Sequence, residues 1–159
     1  ASEDYVKFDD SNIDERIQTA VDKNPDIIKQ QNSLDLLKTK TAIYMKHYSK
    51  YENQVKGFQI NINQSRMALD NLELDTKIGL WQSYYNLKNS ENSVDTEKAN
   101  LENAEDDLRI AESSYNAGST DKIAIDDTNI ALEQQKNKLE RAINNYVATL
   151  EDFENSLRE

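Results

Sequence analysis

Carboxylates are the one chemically capable side chain that this sequence holds in quantity: 30 Asp and Glu stand against 19 Lys and Arg, with a single histidine and no cysteine. Acid–base catalysis needs two carboxylates held together in a pocket that drives their pKa values apart. The adjacent pairs Asp106/Asp107 and Asp126/Asp127 do not meet that need, because sequence neighbours leave a helix in different directions. His47 has no acidic or histidine partner four residues away on either side, so a metal would find one ligand there. The lack of cysteine removes thiolate chemistry, disulfides and cysteine metal sites. Glycines at 57, 79 and 118 are too scattered to cradle a phosphate, and no zinc-protease, nucleophile-elbow, EF-hand or dinucleotide motif occurs. The expectation is a non-enzyme with no catalytic residue, no cofactor and no metal.

What the chain does have is period. Leu80, Leu87, Val94, Leu101, Leu108 and Tyr115 recur every seven residues, and Ile125, Leu132, Leu139, Tyr146 and Phe153 continue at the same interval after a break. Seven-residue recurrence keeps one stripe on one side of a supercoiled helix, whereas a strand would alternate in twos. The break, Tyr115-Asn116-Ala117-Gly118-Ser119-Thr120, therefore reads as the tip of a long helical hairpin. Gly118 suits the left-handed position after a helix, Ser119 or Thr120 the cap of the next, and Asp121 its positive end.

Composition agrees with slender helices. Apolar residues make up 36% and charged residues 31% of the 159, enough for a seam and too little for a thick core. A net charge of -11 would also suit disorder, but a disordered chain does not sustain two phased ladders. The acidity argues against nucleic acid and anionic lipid as partners. No run approaches the length of a membrane-spanning helix, so no direct membrane insertion is expected, and no signal-peptide pattern is present.

Along the chain, residues 1–10 are polar with isolated aromatics and are expected to lie loosely against the bundle. Ser11 is placed as the N-cap of a helix over 12–22, and Asn24-Pro25 as the junction to the next, with Asn24 capping and Pro25 in the first turn. Leu34, Leu37, Thr41, Tyr44, Tyr48, Tyr51, Val55, Phe58 and Ile62 then alternate steps of three and four, an a/d seam in which tyrosines carry apolar bodies. Gly57 to Asn63 superimposes a period of two on this trace. An uninterrupted helix from 25 to 115 would run roughly 135 Å and leave much of its seam without a partner, so a turn near 57–63 is favoured. Leu69, Leu72, Trp81, Tyr84 and Tyr85 belong to the following helix, with Trp81, Tyr84 and Tyr85 widening its seam. The expected fold is all-α: an elongated antiparallel three-helix coiled-coil bundle with a long α-hairpin in one domain, with helices over 12–22, 25–56, 64–116 and 120–157.

Tyr115 to Ile123 resembles the Tyr-x-x-Gly hairpin tip of TolC-like outer-membrane efflux proteins. The similarity continues through Ala131, Leu132, Leu139, Ala142, Asn145-Tyr146, Ala148, Leu150 and Leu157, which look like that repeat's closing helix, while Ile13, Ala20 and Asn24-Pro25-Asp26-Ile27 resemble its opening one. The resemblance implies an extracytoplasmic protein of the cell envelope, periplasmic or at the cell surface, that self-associates into a duct. It also implies that the tip residues Tyr115, Asn116, Gly118, Ser119, Thr120 and Asp121 contact an adaptor protein with a helical hairpin. One repeat is present rather than two, and Gly57 to Asn63 stands where barrel strands would be expected. Without a barrel the chain would form no outer-membrane pore. The alternative is a structural or adhesive coiled-coil spacer at the cell surface with no transport role. A tube would also need apolar lateral faces beyond the seam.

Overall fold

The computed structural model describes the backbone of residues 5–48 and 52–158; the side chains of residues 47, 48, 52 and 53 are outside that description. Among the described residues the chain is all-α, with four helices and no strand: α1 Ile13–Lys23, α2 Pro25–Tyr48, α3 Glu52–Asn116 and α4 Lys122–Ser156. The turn expected near 57–63 is absent, because α3 runs through it. The break between α2 and α3 comes earlier, after Tyr48, and Tyr51 lies outside the described residues. The seam explains the correction: Val55, Phe58, Ile62, Ser65 and Leu69 are covered at steps of three and four, while Ile60 faces solvent. The period-two pattern was a coincidence of apolar residues on two sides of one helix.

The helices divide into two compact units. The first comprises residues 10–82 and 155–159. Here Asn24 closes one helix and opens another. Its amide donates to the Val21 carbonyl (3.1 Å), and its Oδ1 accepts from the amides of Asp26 (3.0 Å) and Ile27 (3.2 Å). The extended conformation at Asn24 (ψ 125°) is what a following proline imposes, and Pro25 sits where its missing N–H costs nothing. At the start of α1, Asn12 rather than Ser11 is the cap residue. It is left-handed (φ 59°) and makes no side-chain capping bond.

The helices of this unit meet in an aliphatic core of Ile17, Ala20, Val21, Ile27, Leu34, Ile62, Leu69 and Leu80, flanked by Trp81 and Leu157. Tyr44 packs its ring on Phe58 (4.9 Å), Gln30 donates to the Ser65 carbonyl (3.3 Å), and Lys77 donates to Gln18 (3.1 Å). Rising numbers on α1 and α2 thus meet falling numbers on α3, so the two directions oppose. Tyr85, expected to widen the seam, instead points outward (58% exposed).

The second unit comprises residues 1–9 and 83–154. Tyr84 touches Phe153 (ring centroids 5.9 Å), Ser90 bonds Thr149 (2.6 Å), and Gln135 donates to the Glu97 carbonyl (3.4 Å) and carboxylate. The distal half of α3 and α4 therefore run antiparallel. Leu87, Val94, Leu132, Leu139, Tyr146 and Phe153 are buried between them, and Leu101 and Leu108 are half-buried toward the turn.

Candidate functional site

The α3–α4 turn is closed by the backbone. The amide of Ser119 donates to the Ser114 carbonyl and that of Gly118 to the Tyr115 carbonyl, both at 2.9 Å. This pair of bonds satisfies the carbonyls that a helix end leaves open, and it requires the left-handed residue that Gly118 supplies (φ 72°). A Cβ at Gly118 would meet no neighbouring atom, so the demand for glycine is purely conformational.

The side chains divide the work differently from expectation. Ser119 Oγ turns back to the Ser114 carbonyl (2.8 Å), whereas Asp121 Oδ1 accepts the Ala124 amide (3.2 Å) and is the cap of α4. Tyr115, Asn116, Gly118, Ser119 and Asp121 are exposed, and Thr120 is half-buried. The turn thus brings the expected contact residues together on one exposed, internally satisfied knuckle, with Ile123 (65% exposed) beside it. The carboxylates of Asp106, Asp107, Asp126 and Asp127 are all exposed, and no group of three metal-ligating side chains occurs among the described residues.

The first described residues form a site that periodicity did not signal. Residues 5–8 lie in the groove between α3 and α4 as an irregular strap. The Tyr5 ring stands edge-on to Tyr146 (5.0 Å), with the Lys98 ammonium 4.3 Å from its centroid, and its hydroxyl donates to Asp95 (3.2 Å). Lys7 donates to the other oxygen of Asp95 (2.5 Å), Phe8 meets Phe153 edge-on (5.5 Å), and Tyr146 donates to the Val6 carbonyl (2.9 Å). Val6 itself faces solvent. These residues were expected to lie loosely. The available signal was two aromatics three apart around a lysine, in an otherwise polar stretch.

Beneath the strap, charge is concentrated. The Lys7 bond holds the Asp95 carboxyl below its ordinary value, and the same bond raises the Lys7 ammonium. Burial, reinforced by Asp95, pushes the Tyr5 phenol up, and burial also raises Tyr146. Glu91 is buried (4% exposed). Its Oε1 accepts from Lys88 (2.8 Å), while no donor among the described residues reaches its enclosed Oε2.

No protein-family model matches this chain, and neither a curated protein nor a solved structure shows significant similarity to it. No helix among the described residues is long and apolar enough to cross a membrane.

Proposed function

We propose that this chain is a non-enzymatic helical module of a cell-envelope assembly, acting as a TolC-like duct component through self-association and through docking of a hairpin adaptor at the α3–α4 turn. In this reading the helices form an antiparallel three-helix coiled coil with a long hairpin. The observation that carries the proposal is a second apolar stripe on α3. Ile60, Met67 and Leu74 recur every seven residues and are more than half exposed, with Ile78 four residues beyond Leu74. They lie off the seam already filled by Ile62, Leu69 and Leu80. A sustained seven-residue stripe left in water is the signature of a helix that packs against something further. The turn adds a rigid, exposed knuckle whose backbone needs no rescue by water.

The test has two arms. Sedimentation across a concentration range is expected to show an assembly that Met67→Glu with Leu74→Glu disperses to monomers without loss of helicity. Co-purification with an adaptor encoded beside the gene is expected to fail for Gly118→Lys with Thr120→Lys. A monomer at all concentrations would end the duct reading. Unchanged adaptor capture would end the docking reading.

One observation favours the spacer alternative. The polar groups of Ser119 and Asp121 are spent within the turn itself, leaving less for a partner to bond. A spacer predicts that turn variants have no effect on assembly or capture.

A further inference from the structure

The groove between α3 and α4 that holds residues 5–8 has the construction of a peptide site. Its walls are the Tyr146 and Phe153 rings, and Asp95 faces the strap from α3 with Lys98 beside it. One helical turn earlier the buried Glu91, bonded to Lys88, is near enough for its charge to act on Tyr5 and Lys7. The strap uses this construction as a bound peptide would. Two rings three residues apart enter the groove, Val6 between them points to solvent while Lys7 reaches Asp95, and one main-chain carbonyl is recognised by Tyr146.

The strap is an incomplete ligand, however. Lys7 spends its ammonium on Asp95, and Glu91 Oε2 stays enclosed without a donor. A buried carboxylate oxygen that lacks a hydrogen bond is costly, and a ligand able to supply one gains by the difference. A lysine is a point charge, whereas a guanidinium offers five donors in a planar fork and can serve two carboxylates at once.

We propose that this groove is a docking site for an extended segment of a partner protein, with the pattern aromatic-x-Arg-aromatic, and that residues 5–8 are a built-in competitor that occupies it until the partner arrives. The partner is basic, in keeping with a chain of net charge -11. A second copy of this chain is the weaker occupant on the same grounds, since its Tyr5-Val6-Lys7-Phe8 would leave Glu91 as unsatisfied as the chain's own strap does. The site is separate from the α3–α4 turn and from the exposed stripe on α3, and it does not depend on a duct role.

The test uses the full chain and the synthetic peptide acetyl-Tyr-Val-Arg-Phe-amide, followed through the backbone amide NMR shifts of Glu91 and Lys98. The strap-disabled variant Tyr5→Ser with Phe8→Ser is expected to bind the peptide at least about tenfold more tightly than the native chain, because an occupied groove lowers apparent affinity by the fraction of time it is open. Adding Asp95→Arg to that variant is expected to abolish the shifts, and a peptide with glutamate in place of arginine is expected to produce none. Asp95 is partly exposed, so Asp95→Arg leaves the helices intact, and circular dichroism checks this. Absence of binding by a strap-disabled variant of native helicity would overturn the proposal, as would equal affinity in the native chain. Native dimers that dissociate when the strap is disabled would also overturn it, by giving the groove to a second copy.

Discussion

The two units put α3 to work in opposite ways. Along 52–82 its partners are the regular helices α1 and α2, and the core is aliphatic: Ile17, Val21, Ile27 and Leu34 against Ile62, Leu69 and Leu80. Along 83–116 its partners are α4 and a short irregular strap, and the buried set includes Ser90, Glu91, Gln135, Tyr146 and Phe153. Two helices alone cannot cover a wide seam, so each unit recruits a third element. The aliphatic unit gains non-directional burial that tolerates repacking. The polar one gains fixed partners, because Gln135 must find Glu97 and Ser90 must find Thr149. That division suggests stability in the first unit and register and recognition in the second.

The strongest way to break the comparison is a charge at one of the polar unit's fully buried positions. Val94 is fully buried on α3. Val94→Asp is expected to cost more than about 4 kcal/mol, since an unpaired carboxylate there has neither water nor a cation. Thermal melting followed by circular dichroism should show loss of much of the α3–α4 pairing. Emission from Trp81, which packs against the aliphatic core, should change less. An equal loss in both signals would show that the units do not melt separately.

Truncation sharpens the same contrast at smaller amplitude. Phe153→Ala removes a fully buried ring that meets Phe8 and Tyr84, and about 3–5 kcal/mol is expected. Leu34→Ala in the aliphatic core is expected to cost about 2–5 kcal/mol, toward the lower end because surrounding aliphatic side chains can settle into the space. Chemical denaturation midpoints measure both. A larger loss at Leu34 would reverse the assignment of the more forgiving core.

How much of this was legible in the sequence follows from the same contrast. Where packing is periodic, the residues announced it. The sevenfold ladder located the α3–α4 pair, Asn24-Pro25 located the helix junction, and Gly118 located the turn. Where two signals overlapped, they misled. Phe58, Ile60 and Ile62 alternate like a strand only because Ile60 belongs to the second, exposed stripe. The strap was invisible for a different reason. Tyr5, Lys7 and Phe8 have no period of their own, and their partners Asp95, Tyr146 and Phe153 lie far along the chain. Capping at Asp121 rather than Ser119 or Thr120 follows from where the turn places each side chain, Ser119 against the Ser114 carbonyl and Asp121 against the Ala124 amide, which composition does not carry.

Glycine substitutions separate conformation from packing, with effects near 1 kcal/mol and opposite signs. Gly79 lies inside α3 with nothing near a would-be Cβ. Gly79→Ala is therefore expected to stabilise the chain by up to about 1 kcal/mol through helix propensity. Gly118→Ala places a side chain in equally open space but at positive φ, so it is expected to destabilise by about 1 kcal/mol. Denaturant midpoints of the two variants should bracket the native value. If both fell below it, helix propensity would not govern at Gly79.

The smallest expected effect tests the strap through pH, and its sign differs at the two ends of the scale. Asp95 is held below its ordinary value, chiefly by Lys7, so its contribution is complete above the usual carboxylate range and disappears as pH falls through the lowered value. Lys7 is raised, chiefly by Asp95, and Tyr5 is raised by burial and Asp95; their contributions are complete below their ordinary values and disappear as pH rises through the raised ones. Lys7 and Asp95 are both substantially exposed and screened by water, so the change in global stability should be slight. The local change should be clear, because Asp95 accepts from both Tyr5 and Lys7 and the strap has no helix of its own to hold it. Amide exchange and ring-proton shifts of residues 5–8 are expected to report release in acid well before α3 and α4 melt, whereas the Lys7→Ser variant should lose most of that acid response. Release at the same pH as global unfolding would mean that the rings at Tyr146 and Phe153, rather than Asp95, hold the strap in place.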